Sequence, residues 1–324
     1  MSTAVQQRLL DLWETPKTLH GRLSTVDHKE IGKRYIWTAF AFLLIGGVEA
    51  LIMRIQLARP DQAILGPETY NQIYTMHGMT MIFWYASPIL SGFGVYLVPL
   101  MIGARDMAFP RFNAFTYWAY LFSGILLYIS PFFGLSPHGG WFAYVPYTNA
   151  TYSPGYGMDF YNLSLILLTI ATSGGAINFI VTILRLRAPG MAISKMPLFL
   201  YSTLTVSFVT IFALPSLTAA NIFLELDRRW GFHFFDIAHG GNVVLWQQLF
   251  WFFGHPCVYI IFFPCWFLQL SISFHLSSSL HPAMCQVRRI TCCGFLMSSH
   301  STLRWAVRPF PSSSYFSSPP ETTS

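Results

Sequence analysis

Six long apolar runs constrain this chain more than any other feature. They cover residues 35–57, 74–102, 115–135, 160–184, 197–222 and 243–270. A helix needs about 20 predominantly apolar residues to cross the hydrocarbon core of a bilayer. Inside that core water cannot serve the backbone, so each segment must satisfy its own N–H and C=O groups, and a helix does this. The fold class is therefore all-α and integral to the membrane, with six transmembrane helices. Composition agrees: 53% of the 324 residues are hydrophobic and 10% charged, against about 25% charged in a soluble domain. Mean hydropathy is +0.47.

Charge then orients the helices. Residues 1–34 are polar and hold Arg8, Lys17, Arg22, Lys29, Lys33 and Arg34, with no apolar stretch ahead of them. This reads as a cytoplasmic amino-terminal tail and not as a cleaved signal. With that tail inside, Arg105, Arg111, Arg185, Arg187 and Lys195 also fall inside, and the loop 136–159, without Lys or Arg, falls outside. Arg54, Arg59, Arg228 and Arg229 count against this orientation, yet the balance keeps the tail in the cytoplasm. The net charge of +6 is thus a membrane-topology signal, and no nucleic-acid partner is expected.

The text changes near Pro264. It becomes serine-rich, Glu321 is its only acid and lysine is absent. Strings such as "HLSSSLHP" and "PFPSSSYFSSPP" show no helical period. The sequence therefore divides into a tail (1–34), a membrane core (35–263) and an anomalous segment (264–324). That segment is read as a disordered tail, or as a frameshifted or truncated continuation. The five cysteines, Cys257, Cys265, Cys285, Cys292 and Cys293, make no disulfide framework and no zinc spacing.

A few residues within the apolar runs carry chemistry. His77, in "NQIYTMHGMTMIFWY", is an imidazole in lipid, which implies a function or a partner. It is either a metal ligand or a histidine bonded to a neighbouring helix. Gly78 beside it leaves room for a planar group to approach. His255 and Tyr259 stand at i and i+4 on one helix face, with Trp251 one turn earlier. Imidazole suits copper, zinc or iron, and the phenol can give a proton and an electron. The alternative is a kink at Pro256 with a polar patch. Asp106 is a carboxylate at a membrane mouth, able to collect protons or merely solvated. Arg54 pairs with a buried anionic or carbonyl group, or snorkels. His20, His28, His138, His233 and His239 read as surface or hydrogen-bonded loop residues. His275, His281 and His300 fall in the anomalous segment and have no role.

Residues 24–263 closely resemble the first half of subunit I of the haem-copper terminal oxidases of the cytochrome c oxidase type. The resemblance rests on "STVDHKEIGKRY", "YNQIYTMHGMTMIFW", "LVPLMIGARDMAFPRFNAFTYW", "SGGAINFIVTILRLRAPGM" and "QLFWFFGHPCVY", in the family's order. It implies a twelve-helix bundle, of which six helices are legible here. It implies a low-spin haem with His77 as an axial ligand and Arg54 in contact, a high-spin haem, and a copper with His255 among its three histidines. Tyr259 matches the tyrosine the family cross-links to that histidine, and Asp106 the acid at a proton-channel mouth.

The resemblance further implies electron transfer from cytochrome c to oxygen coupled to proton translocation, with subunits II and III as partners. The location would be the inner or plasma membrane of a prokaryote. Quinol oxidase is the near alternative, and Thr69, where ubiquinol oxidases carry histidine, argues for cytochrome c. Cys257 stands where many members have glutamate, and Val95 where the channel has asparagine. The remaining family ligands, including a His-His pair, are not legible in 264–324, so a non-catalytic membrane fragment is the competing expectation.

Overall fold

The computed structural model describes residues 18–280, and residues up to Ser271 belong to one compact unit. Six helices are long and apolar enough to cross a membrane: α1 (His28–Gln56), α2 (Pro67–Ile102), α3 (Pro110–Phe133), α4 (Gly157–Arg185), α5 (Leu198–Trp230) and α6 (Val243–Leu280, of which Val243–Leu270 has the apolar span). Among the described residues there is no strand. The six-helix, all-α membrane architecture is the one expected from the apolar runs.

The helices outrun the apolar text at several ends, each time for a local reason. α1 starts seven residues early, inside the expected tail, because the Asp27 side chain caps it, accepting from the Lys29 N–H at 3.0 Å. α5 continues past residue 222 because the charged groups there are all engaged. Glu225 accepts from the Asn162 amide, and Asp227 accepts from the backbone N–H groups of Phe234 and Phe235. α6 stays helical through Pro264 to Leu280, correcting the reading of 264–280 as non-helical. A proline removes one helical hydrogen bond, which a membrane helix tolerates. The rest of the anomalous segment lies outside the described residues.

Neighbours in sequence pack as neighbours in space: α1 on α2, and α4 between α3 and α5. Small residues set the α1–α2 crossing. A Cβ at Gly32 would stand 2.9 Å from the Tyr96 Cβ, and one at Gly92 would stand 2.8 Å from the Tyr35 Cβ. Close backbone approach of this kind replaces the hydrophobic drive that lipid does not provide. Hydroxyls add cross-links: Thr38 to the Tyr117 phenol at 3.1 Å, and Thr218 to Thr169 at 2.8 Å. Within α2 the segment Thr80–Ala86 is a π-helix. There the Trp84 carbonyl accepts from the Tyr120 hydroxyl at 2.8 Å, and the Trp84 indole N–H donates to Ser123 at 3.1 Å.

The loop 134–156 is fastened to the end of α5 by Arg228. Its guanidinium is buried and donates to the Asp159 carboxylate (2.7 Å) and to the carbonyls of Thr148 (2.6 Å), Ser153 (3.1 Å) and Gly155 (2.8 Å). Arg229 reaches the other Asp159 oxygen and lies over the Tyr156 ring. These two arginines are therefore structural cations paired with a buried acid. They say little about topology, which removes the main charge evidence against a cytoplasmic amino terminus. Replacing Arg228 with leucine strips donors from three carbonyls and half-uncovers a buried carboxylate. Arg228→Leu is expected to destabilise the bundle by about 3–5 kcal/mol, read as a lowered midpoint in thermal unfolding of the detergent-solubilised chain.

Candidate functional site

His77 sits in the last turn before the π-helical stretch of α2. Its Nδ1 lies 2.9 Å from the Gly46 carbonyl of α1. A carbonyl only accepts, so Nδ1 carries the proton and the neutral ring presents its lone pair at Nε2. This is the tautomer a metal requires, with the other nitrogen anchored to a backbone oxygen. The neighbouring-helix bond and the ligand role, weighed as alternatives from sequence, are thus compatible in one ring. Gly78 does admit a planar group: the Trp141 side chain comes within 3.4 Å of where a Cβ would be.

One turn further along, a second set of bonds locks the same helices. The Tyr128 hydroxyl of α3 lies 2.5 Å from the Thr80 hydroxyl of α2 and donates to Glu49 of α1 at 3.1 Å. The α1 and α2 helices run antiparallel, and the Tyr128 hydroxyl bridges Thr80 on α2 to Glu49 on α1, so α3 is tied onto the α1–α2 seam that holds His77. The sequence signal for Glu49 was a lone acid in the first apolar run, which by itself argues for a function or a buried partner. It was passed over.

The face of α6 is divided. Phe250, Phe253 and Cys257 are buried, whereas Trp251, His255 and Tyr259 are exposed. Two residues along a helix turn through about 200°, so Cys257 points into the bundle while His255 points out. The His255 and Tyr259 rings meet edge to face with centroids 5.1 Å apart, as their i, i+4 spacing predicts. Aromatic rings connect this helix to the surroundings of His77. Phe83 stacks on Phe253 at 5.8 Å, and Trp141 meets Phe250 at 5.2 Å and Trp251 at 5.8 Å. The Trp251 indole N–H donates to the Tyr144 hydroxyl at 2.5 Å.

Asp106 lies in the α2–α3 connection, partly exposed, and accepts from the Met107 N–H at 2.6 Å. Its Oδ1 is 3.4 Å from Nδ1 of His28, which is 2% exposed. His28 is thus no loop residue but the buried first residue of α1. Its clue was the position one residue after the Asp27 cap. Deeper among α2, α3, α4 and α5 is a cavity of about 80 Å³ lined by Tyr35, Ser91, Val95, Asn113, Thr172 and Ser207, among others. Its wall is mostly apolar with scattered hydroxyls, and it has room for a few water molecules. Val95 contributes an apolar patch to it, and the Asn113 amide nitrogen has no hydrogen-bond partner among the described residues.

Arg54 is exposed near the end of α1 and makes no hydrogen bond or ion pair with another described residue. The structure therefore brings together His77 with Gly46, His255 with Tyr259, and Asp106 with His28, and leaves Arg54 apart from all three. His138 is hydrogen-bonded to Ser153 at 2.8 Å, as read. Removing the hydroxyl at Tyr128 deprives Glu49 of its donor next to the His77 seam. Tyr128→Phe is expected to cost about 1–3 kcal/mol, measured by thermal unfolding of the purified chain.

Comparison with known proteins fits this geometry. The family model described as "Cytochrome C and Quinol oxidase polypeptide I" matches residues 30–281. A Streptomyces coelicolor protein named "Putative cytochrome c oxidase subunit 1-beta" is 49% identical over 245 residues, 74% of this chain and 42% of that protein. "Cytochrome c oxidase subunit 1" of Bacillus sp. (strain PS3) is 46% identical over 75% of this chain and 39% of its own length. "Heme-copper oxidase subunit I+III" of Aeropyrum pernix is 47% identical over 75% of this chain and 30% of its own. The chain spans less than half the length of the curated relatives it matches. With six membrane helices and a family match over most of its length, the chain belongs to the subunit I family of the haem-copper oxidases, a family of membrane-bound oxidoreductases.

Proposed function

We propose that this chain serves as subunit I in a respiratory terminal oxidase of a prokaryotic plasma membrane, passing electrons from cytochrome c to oxygen with proton translocation. The observation that carries the reading is the His77 ring, oriented by the Gly46 carbonyl so that Nε2 is free to bind. His77 would hold the low-spin haem, and Arg54, with no partner among the described residues, would neutralise an anionic edge of it. His255 is one copper ligand, and Tyr259 presents its phenol a turn away as donor of a proton and an electron. Bound haem iron and copper supply the electrons for oxygen reduction. The high-spin haem has no ligand among these residues.

Asp106 collects protons at the mouth, with His28 beside it, and the cavity between α2 and α5 carries them inward. Val95 and Cys257 make that path less polar than the family's usual one. Partners are the other oxidase subunits and cytochrome c. The donor is taken as cytochrome c because the relatives carry that name, and because Thr69, exposed in the first turn of α2, replaces the histidine of quinol oxidases.

One observation favours a second reading, a haem-binding membrane piece without oxygen chemistry. His255 and Tyr259 are exposed, and His255 has no hydrogen bond to another described residue. Metal analysis separates the two. In the purified chain, pyridine haemochrome spectra and copper analysis are expected to show haem and copper. His77→Leu should abolish the low-spin haem band, and His255→Leu should remove copper while sparing that band. Haem without copper supports the second reading, and an unchanged haem band in His77→Leu defeats both.

A further inference from the structure

The α5–α6 connection, residues 231–242, contains three side chains that no part of the oxidase reading uses. His233, Asp236 and His239 each offer one ligand atom, and these atoms all lie within 4.8 Å of one another. The His239 Nδ1 is 2.6 Å from Asp236 Oδ2, and the His233 Nδ1 is 3.4 Å from the same oxygen. The two imidazoles stack with centroids 4.1 Å apart and planes 23° from parallel. Two soft-to-borderline nitrogens and one carboxylate thus converge on a single point.

The backbone builds this convergence. The Asp236 carboxylate accepts from the Ala238 N–H at 3.0 Å, and its carbonyl accepts from the N–H groups of His239 (3.2 Å) and Gly241 (2.7 Å). Those bonds fold 236–241 into a tight turn, completed by Gly240 at φ 87°. His233 itself sits at φ 60°, a left-handed conformation that non-glycine residues seldom adopt. The Asp227 carboxylate holds the next two N–H groups, those of Phe234 and Phe235, at 2.7 and 2.8 Å. The hydrogen bond from His239, and then that from Ala238, keep the Asp236 carboxyl below the usual carboxylate range.

We propose that His233, Asp236 and His239 form a binding site for one divalent transition ion of the zinc and copper class at this end of the bundle. Four-coordinate zinc with ligands at about 2.0–2.2 Å sets its donor atoms roughly 3.3 Å apart. The His233–Asp236 separation already has that value. The His239–Asp236 hydrogen bond opens by several tenths of an ångström as the ion replaces its proton. Two histidines and a carboxylate leave a fourth position for water or an outside donor. All three residues border solvent, and His233 and Asp236 also line a groove with Asn149, Thr151 and Tyr152 of the 134–156 loop. By the charge reading this is the outer side. An ion there ties the end of α5 to the start of α6, outside the oxidase metal sites.

The test uses the full chain in detergent with His255→Leu as background, which removes the copper position of the oxidase reading, stripped with chelator and titrated with Zn²⁺ by calorimetry and with Cu²⁺ followed by electron paramagnetic resonance. The expected result is one site whose Cu²⁺ signal shows coupling to two nitrogens. In His239→Gln, zinc affinity should fall about tenfold or more and the two-nitrogen signal should disappear. His239 is exposed, and an unchanged haem spectrum in the variant verifies its fold. His233→Asn provides a second, independent loss. If either variant keeps the parental isotherm and two-nitrogen signal, or if the parent shows no such signal, the proposal is overturned.

Discussion

The structure depends on a single constraint: in hydrocarbon, every backbone N–H and C=O needs a partner within the protein. The six helices satisfy their own backbones, so the side chains decide how they assemble. Hydroxyls, amides and one guanidinium reach across the seams between α1 and α3, α2 and α3, α4 and α5, and between α5 and the loop 134–156. Where no polar group is available, glycine lets backbones approach, as at Gly32 and Gly92. The result is a bundle whose specificity lies in a small number of directed bonds, since apolar contacts with a neighbour and with lipid are energetically similar.

The candidate site uses those same bonds. The carbonyl of Gly46 ties α1 to α2 and, by the same contact, sets the tautomer of His77. The Tyr128 hydroxyl joins three helices one turn away. Trp141, Phe83, Phe250 and Phe253 then fill the space between that seam and α6. Helix packing and the orientation of the His77 ring are therefore one arrangement.

The helices were legible in the sequence because a bilayer demands long apolar runs, and six of them stand out. Their ends were not. α1 begins at a side-chain cap and α5 ends on charged residues with buried partners, so hydropathy alone placed both boundaries inside the helices. His77, His255, Tyr259 and Asp106 were legible as polar groups at unusual depth or at a mouth. The His255–Tyr259 pairing followed from helical spacing. What spacing could not supply were contacts between segments far apart in the chain: His28 against Asp106, Trp141 against Gly78, and Glu49 with Tyr128. Arg228 looked like loop charge because its acid partner lies 69 residues away.

The π-helical stretch Thr80–Ala86 also has a bearing on how tolerant this chain is to change in length. A π turn holds one more residue than an α turn. Loss of one residue anywhere in that stretch would let α2 relax into uniform α geometry, at little local cost. Every side chain beyond it would then keep about its present direction relative to His77, because the wider turn already absorbs the surplus residue. Gly92 would stay at its crossing with α1, and Val95 in the cavity wall. The same loss in the α-helical part of α2 would turn everything beyond it by about 100°, so a single-codon deletion should be tolerated better in this stretch than elsewhere in the helix.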